Sequence, residues 1–251
     1  MSSPKPIGSS EPAERPARLS FELPFVGREK EMARLRVLHA ERKHVLVLGP
    51  SGVGKSALVR HMRGGLSLLV SAVSGHFGAI CGSLEPEVGL EGAGLRLLER
   101  KRRLRAALGG CGRTVVFDGV GWTGPKVSSF IESVAERTSV WVCARSEHPW
   151  DIGHIWPLLA RFARVEVRAF HLSETRALVE AAVRAWGVPG GALDAVERLH
   201  RLAGGVPHVL CDLLERLGTG LYDPHRLFDL KLLDLDRRIE HVAAGRDPEE
   251  L

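Results

Sequence analysis

The sequence is poor in cysteine, has no internal repeat and contains no long apolar run. None of its apolar runs reaches the roughly 20 residues that a membrane-spanning helix needs, so we expect no membrane segment. Its four cysteines stand far apart with no C-x-x-C pair, and its eleven histidines are dispersed without metal-ligand spacing. This pattern favours reduced core thiols over a zinc site or a disulfide framework.

The first twenty residues also lack the apolar segment of a secretory signal peptide. They alternate Ser, Pro, Glu and Arg, a composition that is typical of a disordered tail. We therefore expect residues 1–20 to be disordered and the protein to be cytoplasmic.

Length and composition are those of an ordinary globular protein. The 251 residues are 44% apolar and 26% charged, which is enough for one sizeable core with a smaller satellite domain. We expect an α/β core over residues 21–170, an all-α domain over 171–220 and a C-terminal helical extension over 221–251. The net charge of +5 leaves room for an acidic partner, nucleic acid included.

Short apolar runs alternate with stretches that can form helices in the first two thirds of the chain. Continuous runs of this kind are typical of strands buried on both faces of a parallel sheet, and their alternation with helices predicts an α/β fold. We expect strands at His44–Leu48, Leu66–Val73, Thr114–Phe117, Val140–Cys143 and Val165–Val167. After Phe170 the apolar residues follow helical spacing, which predicts the all-α domain.

The last segment carries five large apolar residues at heptad spacing, which form one face of a helix. They are Phe228, Leu232, Leu235, Ile239 and Val242. We expect this face to pack on the chain's own helical domain. The alternative is that it receives the helix of a partner.

The strongest motif follows the first predicted strand and has the spacing G-x-x-x-x-G-K-S of a phosphate-binding P-loop. It consists of Gly49, Pro50, Ser51, Gly52, Val53, Gly54, Lys55 and Ser56, and Ala57 continues into the next helix. The glycines let successive backbone N–H groups converge on phosphate oxygens. Lys55 adds a positive charge for the β and γ phosphates, Ser56 offers a hydroxyl to Mg²⁺, and the helix directs its positive dipole end at the anion.

A second candidate feature is the apolar run Val115–Phe117 with the carboxylate Asp118 at its end. P-loop proteins place a Walker B aspartate at the end of such a strand, where it holds the water shell of Mg²⁺. We therefore predict that Lys55, Ser56 and Asp118 meet at one site for Mg²⁺ and a nucleotide.

Together these segments resemble the AAA+-like ATPases, in particular the STAND signal-transduction ATPases and their relatives among the initiator-type AAA+ proteins. The resemblance rests on the FVGRE motif Phe25–Glu29, the P-loop, the Walker B strand Val115–Trp122, the sensor 1 strand Val140–Arg145 and the lid motif Gly204–Pro207. It implies a three-layer P-loop core with a parallel five-stranded sheet, order 5-1-4-3-2, followed by a small all-α lid. It also implies ATP or ADP with Mg²⁺ as cofactors.

The resemblance assigns further residues to the nucleotide. In this group the FVGRE motif contacts the adenine side, which implies such a role for Val26, Gly27 and Arg28. The proline of the lid motif, here Pro207, packs near the base. Arg145, at the end of the sensor 1 strand, is a candidate to act within the same subunit.

Two arginines precede the fifth predicted strand, Arg161 and Arg164. In oligomeric AAA+ proteins this region carries the arginine finger, which reaches the γ-phosphate of a neighbouring subunit and stabilises developing charge. The alternative is a pair of solvated arginines at a helix end.

One position departs from the pattern of the group. Gly119 follows Asp118, where an active ATPase of this group has Asp or Glu to polarise the attacking water. General-base assistance of this kind is worth about 10²–10⁴-fold in rate. We therefore expect slow or absent hydrolysis.

The densest basic run is Arg96–Arg105. Leu97, Leu98 and Leu104 could anchor this helix while its arginines project outward as a surface for the phosphate backbone of a nucleic acid. The alternative is an ordinary solvated helix face.

These features predict an ATP-binding switch in which the arrangement of core and lid depends on Mg-ATP and drives self-association or engagement of a protein partner. A first alternative is a DNA-bound AAA+ assembly factor of the type that regulates transposition or replication initiation. A second is an adaptor that binds the nucleotide without cleaving it.

Overall fold

The computed structural model of the chain describes residues 25–72, 77–92 and 94–243. The predicted tail over residues 1–20, Val73 at the end of the second predicted strand, and residues 244–251 of the C-terminal extension lie outside the described residues. Within the described ranges, no helix has the length and apolar character that crossing a membrane would require.

Five strands form one parallel sheet. They are β1 Val45–Leu48, β2 Leu68–Ala72, β3 Thr114–Val120, β4 Val140–Ala144 and β5 Ala163–Glu166. Their order across the sheet is β2-β3-β4-β1-β5, and all adjacent strands run parallel. This confirms the predicted order 5-1-4-3-2, read from the opposite edge. The carboxyl ends of the strands therefore share one edge, where open α/β sheets bind their ligands.

Seven helices of the described chain surround the sheet. They are α1 Glu29–Ala40, α2 Lys55–Arg63, α3 Phe77–Leu84, α4 Leu97–Gly110, α5 Pro125–Ala135, α6 Pro149–Ile152 and α7 Trp156–Leu159. Strand side chains alternate between the two faces: Leu46 and Phe117 pack with α3, α4 and α5, whereas Val47 and Val116 pack with α1 and α2. The result is the predicted three-layer core.

The remaining described helices form an all-α unit with an apolar cluster of its own. They are α8 Leu172–Trp186, α9 Val196–Ala203, α10 Pro207–Gly218 and α11 Leu227–Ala243. Leu199, Leu213 and Leu230 are fully buried at its centre. We refer to this unit as the lid.

The heptad face of α11 does not pack on the lid, so that prediction is wrong. The five side chains at heptad spacing are between 38% and 74% exposed. The helix packs on the lid through its opposite face, where Leu230 and Leu233 are buried in the lid cluster. Arg237 is buried on that same face and donates hydrogen bonds to Asp234.

The anchoring of α4 also differs from the prediction. Leu104 is buried as expected, and Leu108 joins it one turn later, but Leu97 and Leu98 are exposed. Leu98 precedes the buried Leu104 by six residues, which at about 100° per residue places the two side chains about 120° apart around the helix. Leu97 stands in the first turn.

Candidate functional site

The P-loop and Asp118 lie at the carboxyl edge of the sheet. Gly49 follows β1, and its N–H donates a hydrogen bond of 3.3 Å to the carbonyl of Ala144, the last residue of β4. Asp118 lies in β3, which is separated from β1 by β4 alone. The strand is longer than predicted, so Asp118 is a member of the sheet and is held by its pairing with β2.

Two glycines show why the loop requires this residue type. A Cβ added at Gly49 would collide with the carbonyl oxygen of Val167, so only glycine lets the loop pass so close to the segment after β5. Gly54 has a φ of 101°, in the left-handed region that favours glycine. It directly precedes α2, and an added Cβ there would meet no atom within 4 Å.

Lys55 is the first residue of α2, and its ammonium lies inside the loop. It donates hydrogen bonds of 2.7 and 2.8 Å to the carbonyl oxygens of Gly49 and Pro50. Burial lowers the pKa of Lys55, while the nearby charge of Asp118 acts in the opposite direction. Lys55 and Asp118 thus lie near enough for their charges to interact, and Ser56 is exposed in the same first turn.

Asp118 has an unsatisfied oxygen. Among the residues that the structure describes, its Oδ1 is buried and has no hydrogen-bond partner. A buried carboxylate oxygen is costly without a partner, and Mg²⁺ with its water shell prefers such ligands. No cluster of three acidic, His or Cys side chains within the described ranges could hold a metal alone. A Mg²⁺ ion at Asp118 and Ser56 therefore fits as the kind of site that phosphate oxygens complete.

Sequence reasoning had treated Cys143 only as a core thiol in the sensor 1 strand. The side chain is fully buried and lies near enough to Asp118 for the charge of that carboxylate to act on the thiol. Burial, followed by the charge of Asp118, raises the pKa of the Cys143 thiol well above its usual value. The predicted strand order already placed β4 beside β3, so this neighbour could have been deduced.

Gly119 follows Asp118 at an irregular position of β3. It is exposed, has a φ of 70°, and lies where the register between β3 and β4 shifts between Phe117 and Val120. The position directly after Asp118 is therefore a left-handed bulge.

The FVGRE motif lies between the P-loop and the lid. Arg28 is only 4% exposed; its guanidinium donates to the carbonyl of Val53 at 3.0 Å and lies 4.6 Å from the ring centre of Phe170. Val26 packs against the lid cluster, and the side chain of Glu174 in α8 lies against Gly27. Sequence reasoning missed Phe170, which carries no motif signal of its own.

The lid motif touches the P-loop directly. Pro207 is the first residue of α10, and the N–H of His208 donates a hydrogen bond of 3.1 Å to the carbonyl of Gly52. At the base of the lid, the N–H of Phe170 donates to the carbonyl of Gly205 at 2.7 Å. Of the two motifs, the FVGRE motif contacts the loop through Arg28, and the lid segment contacts it through Val206 and His208.

The three candidate arginines occupy two different places. Arg145 follows β4 and lies close enough to Lys55 for its charge to lower the pKa of the lysine. Arg164 lies within β5, not before it, and donates to Glu147 at 2.6 Å, while Arg161 is exposed after α7. In the described part of the chain, neither Arg161 nor Arg164 forms a hydrogen bond or ion pair with the P-loop.

Solved structures share this architecture. The Walker-type ATPase of Pyrococcus abyssi has 18% identity and a TM-score of 0.63, with 88% of this chain and 74% of that chain covered. The Orc1 protein of Aeropyrum pernix in complex with DNA has 15% identity and a TM-score of 0.64, with 89% and 69% covered. A STAND protein with a tetratricopeptide repeat sensor from Pyrococcus horikoshii has 18% identity and a TM-score of 0.51, with 82% of this chain but only 32% of that chain covered.

At these identities the solved structures establish the fold alone. No protein with a curated description matches the chain. A sequence profile described as the AAA ATPase domain matches residues 24–223, a range that holds the P-loop, Asp118 and the lid motif. The chain therefore belongs to the AAA ATPase domain family.

Proposed function

We propose that the chain binds Mg-ATP between its core and its lid, with the boundary near residue 170, and acts as a nucleotide-dependent switch. The bound nucleotide sets the arrangement of the two parts, and this arrangement controls self-association or engagement of a protein partner. The observation that carries the proposal is the hydrogen bond from the His208 N–H in the lid to the Gly52 carbonyl in the P-loop. Because the acceptor of this hydrogen bond belongs to the P-loop, a change in the conformation of the loop alters its contact with the lid.

Each candidate residue has a task in this proposal. The P-loop N–H groups and Lys55 bind the phosphates, and Arg145 approaches from the end of β4. Ser56 and Asp118 hold Mg²⁺, which when bound would neutralise phosphate charge. Val26, Gly27, Arg28 and Pro207 border the base, since their segments join the loop to the lid.

Hydrolysis is proposed to be slow or absent. The exposed, left-handed Gly119 supplies no acid to orient a water. The proposed role therefore depends on binding and release of the nucleotide more than on rapid turnover. An adaptor that keeps its nucleotide permanently is the limiting case, and it predicts nucleotide that copurifies with the protein.

The replacement Lys55→Ala tests the binding site. At ATP concentrations about 100 times the Kd, with Mg²⁺, the melting temperature of the unmodified protein should rise by about 5–10 °C. Lys55→Ala should lose this rise because it removes the ammonium from the loop. Lys30→Ala, in the exposed first turn of α1, is the matched control and should retain it. An equal rise in Lys55→Ala would contradict the site.

Hydrogen exchange tests the switch itself. The amide of His208 should exchange at different rates with ATP, with ADP and without nucleotide, because its acceptor is part of the P-loop. Size-exclusion chromatography with light scattering under the same three conditions reports self-association. Equal exchange rates at His208 under all three conditions would refute the coupling of loop and lid.

A DNA-bound assembly factor is the second candidate, and the surface of α4 favours it. Arg100 pairs with Glu85 at 2.6 Å, but Arg102, Arg103 and Arg105 are exposed and form no ion pair with another described residue. The solved structure of Orc1 in complex with DNA has the same fold. This candidate predicts ATP-dependent oligomers on DNA and salt-sensitive binding that weakens in Arg102→Ala/Arg105→Ala. If this variant bound DNA as tightly as the unmodified protein does, α4 would be excluded as the DNA-binding surface.

A further inference from the structure

The C-terminal helix α11 presents two apolar faces, and only one of them is covered. Leu230 and Leu233 are fully buried in the lid. The other face carries the five exposed side chains Phe228, Leu232, Leu235, Ile239 and Val242, which we call the α11 stripe. A contiguous apolar surface of this kind is often an interaction site.

The stripe follows the register of a coiled coil. With Phe228, Leu235 and Val242 at d, the a positions are Leu232 and Ile239. The residues buried against the lid then occupy the b and f positions, which lie on the outer side of a two-stranded coiled coil. The lid therefore stands behind the helix and leaves the a and d positions accessible to another helix.

The charged residues that flank the stripe identify the occupant. The g positions are basic, Lys231 and Arg238, and the e positions are acidic, Asp229 and Asp236. In a parallel pair of α11 helices, Lys231 faces Asp236 of the second copy, and the symmetry repeats this pair. In an antiparallel pair, Lys231 would face Arg238 of the second copy, which is repulsive.

We infer that the α11 stripe binds the α11 stripe of a second copy of this chain in a parallel two-stranded coiled coil. The two-fold axis runs along the helices, so the assembly closes as a dimer. Asp236 already accepts a hydrogen bond from the Tyr222 hydroxyl at Oδ2, and an ionised carboxylate has further lone pairs for Lys231.

The area is that of a reversible dimer. Five half-exposed side chains of this size bury about 500 Å² on each copy, or about 1,000 Å² in total, which lies at the lower limit for specific interfaces. We therefore expect dissociation in the micromolar range, where changes in the lid can shift the balance between monomer and dimer. In this respect the inference rests on the proposed function, because it names the surface for self-association.

Light scattering on the full chain tests the dimer. From low to high micromolar concentration, the mass should rise from one copy towards two. Leu235→Asp/Ile239→Asp should remain monomeric, and its circular dichroism should be unchanged because both side chains are exposed. Leu221→Asp, at a residue that is 78% exposed outside the stripe, should dimerise normally. A monomer at all concentrations, or a dimer that survives the double replacement, overturns the inference and assigns the stripe to another occupant.

A single charge reversal tests the orientation. Lys231→Glu should weaken a parallel dimer by about tenfold, because two attractive pairs become repulsive. The same replacement should strengthen an antiparallel dimer, since it introduces attraction to Arg238. Lys30→Glu changes the net charge equally and should leave the Kd of dimerisation unchanged. Tighter or unchanged association in Lys231→Glu overturns the parallel arrangement.

Nucleotide binding and dimerisation can be tested independently of each other. Leu235→Asp/Ile239→Asp should keep the thermal shift with ATP while losing dimerisation. Lys55→Ala should lose the shift with ATP, and its dimerisation without nucleotide should equal that of the unmodified protein. A double replacement that abolishes both properties would show that the variant is misfolded or that the stripe is part of the nucleotide site, and either result removes support for the inference.

Discussion

The core and the lid are built on different principles. In the core, strands buried on both faces bring polar groups from β1, β3 and β4 to one edge, where Lys55 and Asp118 meet. In the lid, leucines from four helices form one apolar cluster. The core is suited to position phosphates rigidly, whereas the lid is suited to move as a unit.

The link between the two regions is local and includes three contacts. They are the His208 N–H on the Gly52 carbonyl, the Arg28 guanidinium on the Val53 carbonyl, and the Arg28 guanidinium near the Phe170 ring. Each of these contacts involves the P-loop or the segment that leads into the lid. A nucleotide at the loop can therefore act on the link directly.

A matched pair of leucine replacements should separate the two regions most clearly. Leu46 in β1 and Leu213 in α10 are both fully buried, so Leu46→Ala and Leu213→Ala should each cost about 2–5 kcal/mol of local stability. By hydrogen exchange, Leu213→Ala should loosen α8 to α10 and leave the sheet protected, while Leu46→Ala should loosen the sheet. Equal loosening of both regions in both variants would mean that core and lid unfold as one unit.

High pH should weaken the lid through Cys211. Burial, followed by the charges of Asp212 and Glu215, raises the pKa of this thiol from 9.0 to about 11. Between these values the unfolded chain has lost the proton and the folded chain has kept it, so stability falls as pH rises from about 9 to 11, by up to about 3 kcal/mol.

Denaturant melts of the unmodified protein and of Cys211→Ala check this dependence. The variant should lose less stability between pH 9 and 11, because it has no thiol at this position. At pH 7 to 8 the thiol is protonated in both the folded and the unfolded chain. The difference in the free energy of unfolding between the two proteins should therefore be constant in this range. Parallel curves up to pH 11 would contradict the raised pKa.

Removal of the Arg28 side chain should weaken the link itself. Arg28→Ala should cost about 1–3 kcal/mol, because the buried Val53 carbonyl loses a charged donor. The thermal shift with ATP should also decrease, since the lid is held less firmly on the loop. Arg28→Lys keeps the positive charge but lacks the planar guanidinium, so its stability should lie between those of the unmodified protein and Arg28→Ala. If Arg28→Ala kept full stability, the contact would not join core and lid.

The smallest expected effect concerns the core edge at Gly119. Gly119→Glu should cost about 1 kcal/mol, because a side chain is strained at a φ of 70°. It should not raise phosphate release by more than a few-fold, since the bulged backbone does not present the acid as a regular strand would. Gly119→Asn, which tolerates this conformation better, should cost less stability. A hundredfold faster hydrolysis by Gly119→Glu would show that the bulged backbone does not limit hydrolysis and that an acidic side chain alone is sufficient.

Sequence reasoning succeeded where the signal was local. Continuous apolar runs such as Val45–Leu48 reveal a strand buried on both faces, and the P-loop is identified by eight consecutive residues. The resemblance then supplied the strand order, which the structure confirms. The binding roles of the named site residues stay predictions, although the structure brings Lys55, Ser56 and Asp118 to one edge.

Sequence reasoning failed where a helix has two apolar faces. Both Leu230/Leu233 and the α11 stripe have helical periodicity, and the heptad pattern selected the wrong one for packing on the lid. Periodicity reveals that a face is apolar, but the space available beside the neighbouring helices decides which face is covered. The same limit applies to Leu97 and Leu98 in α4.

By itself the sequence determined the alternation of strands and helices, the phosphate loop and the absence of an acidic side chain at position 119, because each depends on residue types at short range. The tertiary structure alone decided the left-handed bulge at Gly119 and the contact of His208 with Gly52. These features join residues that are distant in the chain or depend on strand register, and short-range patterns carry no information about either.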